Sequence, residues 1–108
     1  RENGICAKRN LAINEVLIDG VTVVDDRARL WPQTERLKSA VARHARTGSN
    51  EDANDIVSAY SGLEKYFTGC KPGLWCDKID IDGKQIDEPA PASSFYHIVC
   101  ALSVLLQA

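Results

Sequence analysis

A short, almost purely apolar run near the C-terminus constrains the fold more than any other feature of this sequence. Residues 98–106 contain no charged side chain. A helix with apolar side chains on nearly every face is buried all round instead of being amphipathic, and about a dozen residues are too few to span a bilayer. Two serines precede the run, and either Ser93 or Ser94 is predicted to be the N-cap of this buried helix.

Such a helix needs more apolar partner surface than this sequence supplies. The chain has 108 residues and no methionine, which is enough for one small domain and indicates a fragment or a processed piece. We therefore expect residues 1–108 to form a single partial domain, completed by the rest of a longer chain or by a second subunit. Residues 1–10 do not resemble a signal peptide, so a cytoplasmic location and four reduced cysteines are predicted.

Charge is unevenly distributed along the chain. The net charge of −2 argues against a nucleic-acid partner. Basic residues are concentrated between positions 27 and 46, and acidic residues between positions 77 and 88. Both groups are interpreted as solvated faces, although a basic face beside a pocket could attract a phosphate.

Turn residues divide the rest of the sequence into hairpins and helices. β-formers around Asp19-Gly20 predict a hairpin over about residues 13–25, and Asp82-Gly83 predicts a second one. Between them, one helix is predicted to open at Pro32, at the first helical position, and to end before Gly48. Ser49 or Asn50 can cap the next helix. The predicted apolar stripes are Leu37, Ala40, Val41 and His44 in the first helix, where His44 is interpreted as a solvated residue, and Ala53, Ile56, Val57, Tyr60, Leu63 and Phe67 in the second.

Three residues at the predicted helix starts are candidates for a site. His97 lies in the first turn of the apolar helix, where the positive end of the helix dipole disfavours a protonated ring. It is either a core histidine bonded to a backbone carbonyl, the usual case for a lone histidine, or a proton-transfer residue. Trp31 is either a core anchor or a face on which a sugar stacks. Glu35 either complements the helix dipole or accepts hydrogen bonds from hydroxyls.

Four motifs occur in a fixed order. They are R-L-W-P-Q-T-E-R-L-K at 29–38, G-L-W-C-D at 73–77, D-I-D-G-K at 80–84, and the stretch at 89–98 that ends in S-S-F-Y-H-I. Together they resemble the C-terminal part of the N-acylglucosamine 2-epimerase superfamily, and more closely its mannose or mannose-6-phosphate isomerase members. The resemblance covers essentially the whole chain but only the last quarter to third of the family's domain.

The resemblance implies a mainly α fold, the C-terminal part of an (α/α)6 barrel with β-hairpin loops between the helices. The family's active site lies at one mouth of the barrel. The resemblance makes His97 catalytic, and it implies that Trp31 and Glu35 line the sugar site, with Gln33 in the same pattern. Trp75 matches a recurrent family position and is expected to pack under the second hairpin.

The implied activity is that of an aldose–ketose isomerase or 2-epimerase acting on mannose, mannose-6-phosphate or a related sugar, without a metal or cofactor. A base removes the C2 proton of the open-chain aldose, and the cis-enediolate regains a proton at C1 to give a ketose or at C2 to give the epimer. The family's other catalytic histidine and its arginine lie upstream of the matching region. His44, near the C-terminal end of its helix, is not expected to replace them.

Two alternatives remain open from the sequence. An (α/α)6 glycoside hydrolase needs two carboxylates that flank the scissile bond, and Glu35 is the one carboxylate predicted at the mouth. A non-catalytic sugar-binding or interaction module needs only the residues that line the sugar. An upstream histidine pair in the full-length gene favours the enzyme.

Overall fold

Three helices and three small antiparallel strand pairs form the part of the chain that the structure describes. The computed structural model describes residues 5–13, 15–16, 23–25, 27–71 and 74–107. The elements are β1 (Ile5–Cys6), β2 (Leu11–Ala12), β3 (Glu15–Val16), β4 (Val23–Asp25), β5 (Ala28–Arg29), α1 (Leu30–Thr47), α2 (Asn50–Glu64), β6 (Lys78–Ile79) and α3 (Ser93–Leu106). The predicted mainly α fold with short hairpins is confirmed.

Helix α1 begins earlier than predicted and ends where predicted. It starts at Leu30, so that Pro32 is its third residue and not its first. The Leu30 amide donates to the Asp77 carbonyl at 2.7 Å, and this long-range bond extends the helix toward β5. Pro32 still lies in the first turn, where the missing N–H has no intrahelical partner. At the other end Gly48 adopts a left-handed conformation with φ of 62° and donates to His44.

Helix α2 is capped as predicted, but the face that it buries differs from the predicted stripe. The Ser49 hydroxyl accepts from the Asp52 amide at 3.1 Å. The buried residues of α2 are Ala59, Gly62 and Leu63, whereas the predicted Val57 is 65% exposed. The prediction of this stripe is therefore wrong for two of its six members, Val57 and Tyr60, which are both exposed. Glycine at position 62 lets the Asn10 backbone approach closely, a feature that a count of large apolar residues does not detect.

Gly62 lies against a polar corner formed by Asn10. A Cβ at Gly62 would lie 2.6 Å from the Asn10 carbonyl oxygen. Asn10, which has a φ of 55°, accepts two hydrogen bonds of 2.9 Å from Arg36, one at its carbonyl and one at its side chain. The Asn10 amide donates to the Ser58 carbonyl at 2.8 Å. This corner ties the segment before β2 to both α1 and α2.

The substitution Gly62→Ala is expected to destabilise the fold by about 1–3 kcal/mol, since the added methyl group overpacks the Asn10 corner. The sign of the change in unfolding free energy is informative. In a helix without a steric clash, alanine is more stabilising than glycine by about 1 kcal/mol. Ser61→Ala, at an exposed neighbouring position, is the control and should change little. Denaturant unfolding of the three proteins measures the difference, and a Gly62→Ala protein more stable than wild type would contradict the close approach.

Both predicted hairpins correspond to antiparallel pairs. Strand β3 pairs with β4, which confirms the hairpin at 13–25, while its turn at Asp19-Gly20 lies outside the described residues. In the second hairpin the Asp80 amide donates to the Lys84 carbonyl at 2.9 Å, around Gly83 with φ of 85°. Strand β6 also pairs with β5, a pairing not predicted from the sequence, and this places the second hairpin beside the start of α1.

Helix α3 packs one face on the core and leaves another exposed. Its buried residues are Ser94, Ile98 and Ala101, whereas Phe95 is 60% exposed. The described elements cover only one face of α3, as expected for a helix that needs further partner surface, so burial on every side stays a prediction for the complete domain. The predicted serine cap is wrong. The N-cap is Ala92, which makes no side-chain cap bond, and the Ser94 hydroxyl bonds to Asp77 instead.

The core lies where α1 packs against α2 and α3. Its largest fully buried side chains are Tyr66, Leu11, Leu30, Leu37, Leu63, Gln33 and Thr34.

None of the helices described is long and apolar enough to cross a membrane. All four cysteines are free, as predicted, and burial raises the pKa of the Cys76 thiol to about 11, so this thiol stays protonated at neutral pH.

Candidate functional site

Helices α1 and α3 begin side by side because both are bonded to Asp77. The Asp77 carbonyl accepts from the Leu30 amide at 2.7 Å, and its carboxylate accepts from the Ser94 hydroxyl at 3.2 Å. The first turns of the two helices are therefore held at the same end of the molecule. The side chains that follow these two anchors form the candidate site.

On α1, three candidate side chains share a stripe beside the buried face. Trp31, Glu35 and Lys38 are spaced i, i+4 and i+7, so they lie on one side of the helix. The Trp31 residue is 42% exposed, which argues against the core-anchor interpretation. The Lys38 ammonium lies 3.5 Å from Glu35 Oε1. The stripe thus presents an aromatic face, a carboxylate and an ammonium group in that order.

On α3, His97 faces this stripe. Its Nδ1 lies 3.8 Å from Glu35 Oε1, which is beyond hydrogen-bonding distance but within reach of an ion pair. The imidazole centroid lies 6.2 Å from the Trp31 ring centroid, with the two planes tilted by 36°. The His97 side chain is 34% exposed, so it is not an enclosed core histidine in the described chain. It is the fifth residue of α3, slightly deeper in the helix than predicted.

This arrangement can support proton transfer. Glu35 Oε1 lies within ion-pair distance of His97 Nδ1, so the carboxylate can pair with the imidazole when the ring accepts a proton from a bound molecule. Nδ1 is turned toward Glu35, and among the described residues no hydrogen bond engages Nε2, the atom that can face a bound molecule. The exposed Trp31 face lies next to that position. His97, Glu35 and Trp31, predicted separately as site residues, are therefore brought together.

Gln33, predicted to line the sugar site, has a different environment. It is fully buried. Its Oε1 accepts from the Ala12 amide at 2.8 Å, and its Nε2 donates to the carbonyls of Ala12 at 3.0 Å and Arg29 at 2.9 Å. These bonds attach β2 to the first turn of α1. Contact with a sugar stays a prediction for Gln33, and its observed contacts are those of a residue that holds the α1 start in place.

Trp75 packs within an aromatic cluster. Its ring stacks on Phe95 of α3, with centroids 6.1 Å apart and planes at 24°, and lies 6.5 Å from the Phe67 ring. Its indole N–H is buried and has no hydrogen-bond partner among the described residues. The cluster fixes the segment before β6 against the start of α3.

Sequence reasoning missed two members of this region. Lys38 follows Trp31 by seven residues, and that helical spacing could have placed it on the same stripe. Asp77 was grouped with the acidic residues of a solvated face, whereas it is only 4% exposed.

In the described part of the chain, no group of three or more His, Cys, Asp or Glu side chains is arranged to hold a metal ion.

Comparisons with known proteins agree with the motifs. The family model described as N-acylglucosamine 2-epimerase matches residues 1–101. A protein of Rhizobium meliloti (strain 1021) named mannose-6-phosphate isomerase is 41% identical over 104 residues. That alignment includes 94% of this chain and 27% of the relative, so the chain spans about a quarter of the length of the relative that it matches.

Proposed function

Because this chain belongs to the N-acylglucosamine 2-epimerase family, we propose that it forms the C-terminal part of a sugar isomerase or epimerase with an (α/α)6 barrel. The observation that carries the proposal is the convergence of His97, Glu35 and Trp31 at the start of two adjacent helices. The direction of the helices supports it as well. Helices α1 and α3 start at the same end, as two neighbouring inner helices of such a barrel do, and α2 connects them.

The proposed substrate is an open-chain aldose, namely mannose, mannose-6-phosphate or a related sugar. The name of the relative, mannose-6-phosphate isomerase, supports a sugar of this class. Trp31 offers an apolar face for the C–H side of a sugar. Glu35 accepts hydrogen bonds from the hydroxyls while it faces His97. The 34% exposure of the His97 side chain leaves room for the reacting carbons beside it.

The proposed reaction is a proton transfer through an enediolate. His97 exchanges a proton with the sugar through Nε2, acting as the base at C2 or as the acid that reprotonates the intermediate. When the C2 proton leaves, the C2–H electron pair forms the C1–C2 double bond and negative charge moves to the carbonyl oxygen. Return of a proton to C1, with transfer of the O2 proton to O1, gives the ketose, whereas return to the opposite face of C2 gives the epimer. In its protonated state His97 is stabilised by the Glu35 carboxylate.

The proposal is tested by incubating the complete protein with mannose, mannose-6-phosphate and N-acetylglucosamine and following the products by NMR. We expect conversion of at least one aldose to its ketose or 2-epimer. Binding of these sugars without conversion of any of them would favour the alternative of a non-catalytic sugar-binding module. Release of a monosaccharide from a glycoside instead would favour the hydrolase.

Trp31→Ala is expected to raise KM about tenfold or more, because the stacking face for the sugar is lost, a change of about 1.4 kcal/mol in binding. The melting temperature should change little, since Trp31 is 42% exposed. A buried tryptophan would lose about 3–5 kcal/mol of stability. Trp75→Ala is the matched comparison, with lower stability and a nearly unchanged KM expected. The reverse pattern in the two variants would make Trp31 the structural tryptophan.

A further inference from the structure

We propose that Asp77 is a positioning residue for His97, which sets the distance between the acid–base imidazole on α3 and the sugar-binding stripe on α1. This inference rests on the proposed function for its catalytic readout. Asp77 lies outside the W-P-Q-T-E segment at 31–35 and the S-S-F-Y-H segment at 93–97. The contacts of Asp77 give it a role in the geometry of both.

Asp77 bonds to the start of both helices through different atoms. Its backbone carbonyl accepts from the Leu30 amide at 2.7 Å, and carboxylate Oδ1 accepts from the Ser94 hydroxyl at 3.2 Å. The other oxygen, Oδ2, lies 3.7 Å from Arg29 Nε. Because one residue carries all these contacts, the two helix starts cannot move apart without breaking one of them.

Because Asp77 is buried, its carboxylate needs these contacts. Its side chain is 5% exposed, and a buried carboxylate is costly unless it is paired and hydrogen-bonded. Arg29 Nε is also buried and makes no hydrogen bond within the described residues, so the nearby carboxylate is its electrostatic partner. The Asp77 side chain is therefore confined to one orientation, the one that bonds to Ser94.

Ser94 transmits this constraint to His97. The two residues are three apart on α3, which places them one turn apart along the same side of the helix. Leu30 is followed directly by Trp31 and, one turn later, by Glu35. The separation of 3.8 Å between His97 Nδ1 and Glu35 Oε1 thus depends on the Leu30–Asp77–Ser94 connection. A displacement of about 1 Å at a reacting group costs about a hundredfold in rate.

The kinetic test uses the complete protein with Asp77→Ala, Asp77→Asn, Ser94→Ala and the double variant Asp77→Ala/Ser94→Ala. We expect each alanine variant to lower kcat by about ten- to a hundredfold, with a change in KM smaller than about threefold. The double variant should lose no more than Asp77→Ala alone, because both changes break the same bond. Asp77→Asn should recover most of kcat, since an amide oxygen accepts from the Ser94 hydroxyl. Asp82→Ala, an exposed hairpin carboxylate, is the matched control and should keep the wild-type rate.

An NMR readout separates this inference from the proposed function. The imidazole resonances of His97 are assigned by their loss in His97→Asn, and their shifts report the position of the ring relative to Trp31. Asp77→Ala and Ser94→Ala should move these resonances, and Asp82→Ala should not. If Asp77→Ala does not fold, Ser94→Ala, which removes a single hydroxyl, decides the outcome. A wild-type protein that converts no sugar would contradict the proposed function, while the resonances would still decide the positioning role.

Unmoved His97 resonances in Ser94→Ala would overturn the positioning role. A purely structural role would lower the melting temperature of the Asp77 and Ser94 variants without changing kcat per folded molecule, and this result would overturn it too. Additive losses in the double variant would likewise show that Asp77 and Ser94 do not act through their shared hydrogen bond.

Discussion

His97→Asn is expected to lower turnover by about a hundredfold or more, the usual scale for loss of a general acid–base residue. Asparagine can form a hydrogen bond in the place of the ring but cannot exchange a proton near neutral pH. His97 lies on the partly exposed side of α3, facing Glu35 and Trp31, so the substitution should leave the core intact. Steady-state kinetics of the complete protein, together with thermal unfolding, measure both effects.

His44→Asn is the matched control for this prediction. His44 is the other histidine of the chain and lies in the last turn of α1, away from the helix starts. We expect wild-type kcat and KM for the control. A His97→Asn protein with normal turnover, or equal losses in the two variants, would make His97 a structural residue.

Glu35→Gln is expected to lower kcat by about ten- to a hundredfold with a smaller change in KM. The amide still binds sugar hydroxyls, but the carboxylate that faces His97 Nδ1 at 3.8 Å is lost. Without that charge, the protonated imidazole formed during the reaction is less stable, and each lost 1.36 kcal/mol is a factor of ten in rate. Glu51→Gln, at an exposed position in the first turn of α2, serves as the control.

Glu35→Ala separates the two functions assigned to this carboxylate. It removes both the charge and the hydrogen-bonding group, so we expect a higher KM in addition to the lower kcat. If Glu35→Gln keeps the wild-type kcat and Glu35→Ala changes only KM, then Glu35 binds hydroxyls and does not assist His97.

The end of α1 and the start of α2 could be predicted from local chemistry because each depends on a single residue. Gly48 ends α1 with a left-handed backbone, and Ser49 caps α2; both effects lie within a few residues of the sequence. The pairing of β5 with β6 could not be predicted in this way. Each strand has only two residues, too few for a recognisable alternation, and both α1 and α2 lie between the two strands in the sequence.

The candidate site residues can be proposed as a set from the sequence, but their contacts cannot. The motif containing Trp31 and Glu35 and the histidine of the last helix are visible in the sequence. Their proximity depends on Asp77, whose burial is a property of the packed fold. Ser94 illustrates the same limit, since a serine at a helix start is usually a cap and here bonds to a distant carboxylate instead. Gln33 likewise belongs to the motif, yet its amide bonds to β2.

The central claim, that His97 exchanges a proton with the sugar, is tested most directly by hydrogen exchange at C2 in deuterated water. The complete protein is incubated with the aldose that it converts, and loss of the C2 proton signal is followed by NMR. Wild type should incorporate deuterium at C2, at least in part, because the enediolate regains its proton from a group that exchanges with solvent. His97→Asn should show no appreciable exchange on the same timescale, whereas exchange and turnover at the wild-type rate in that variant would contradict the claim.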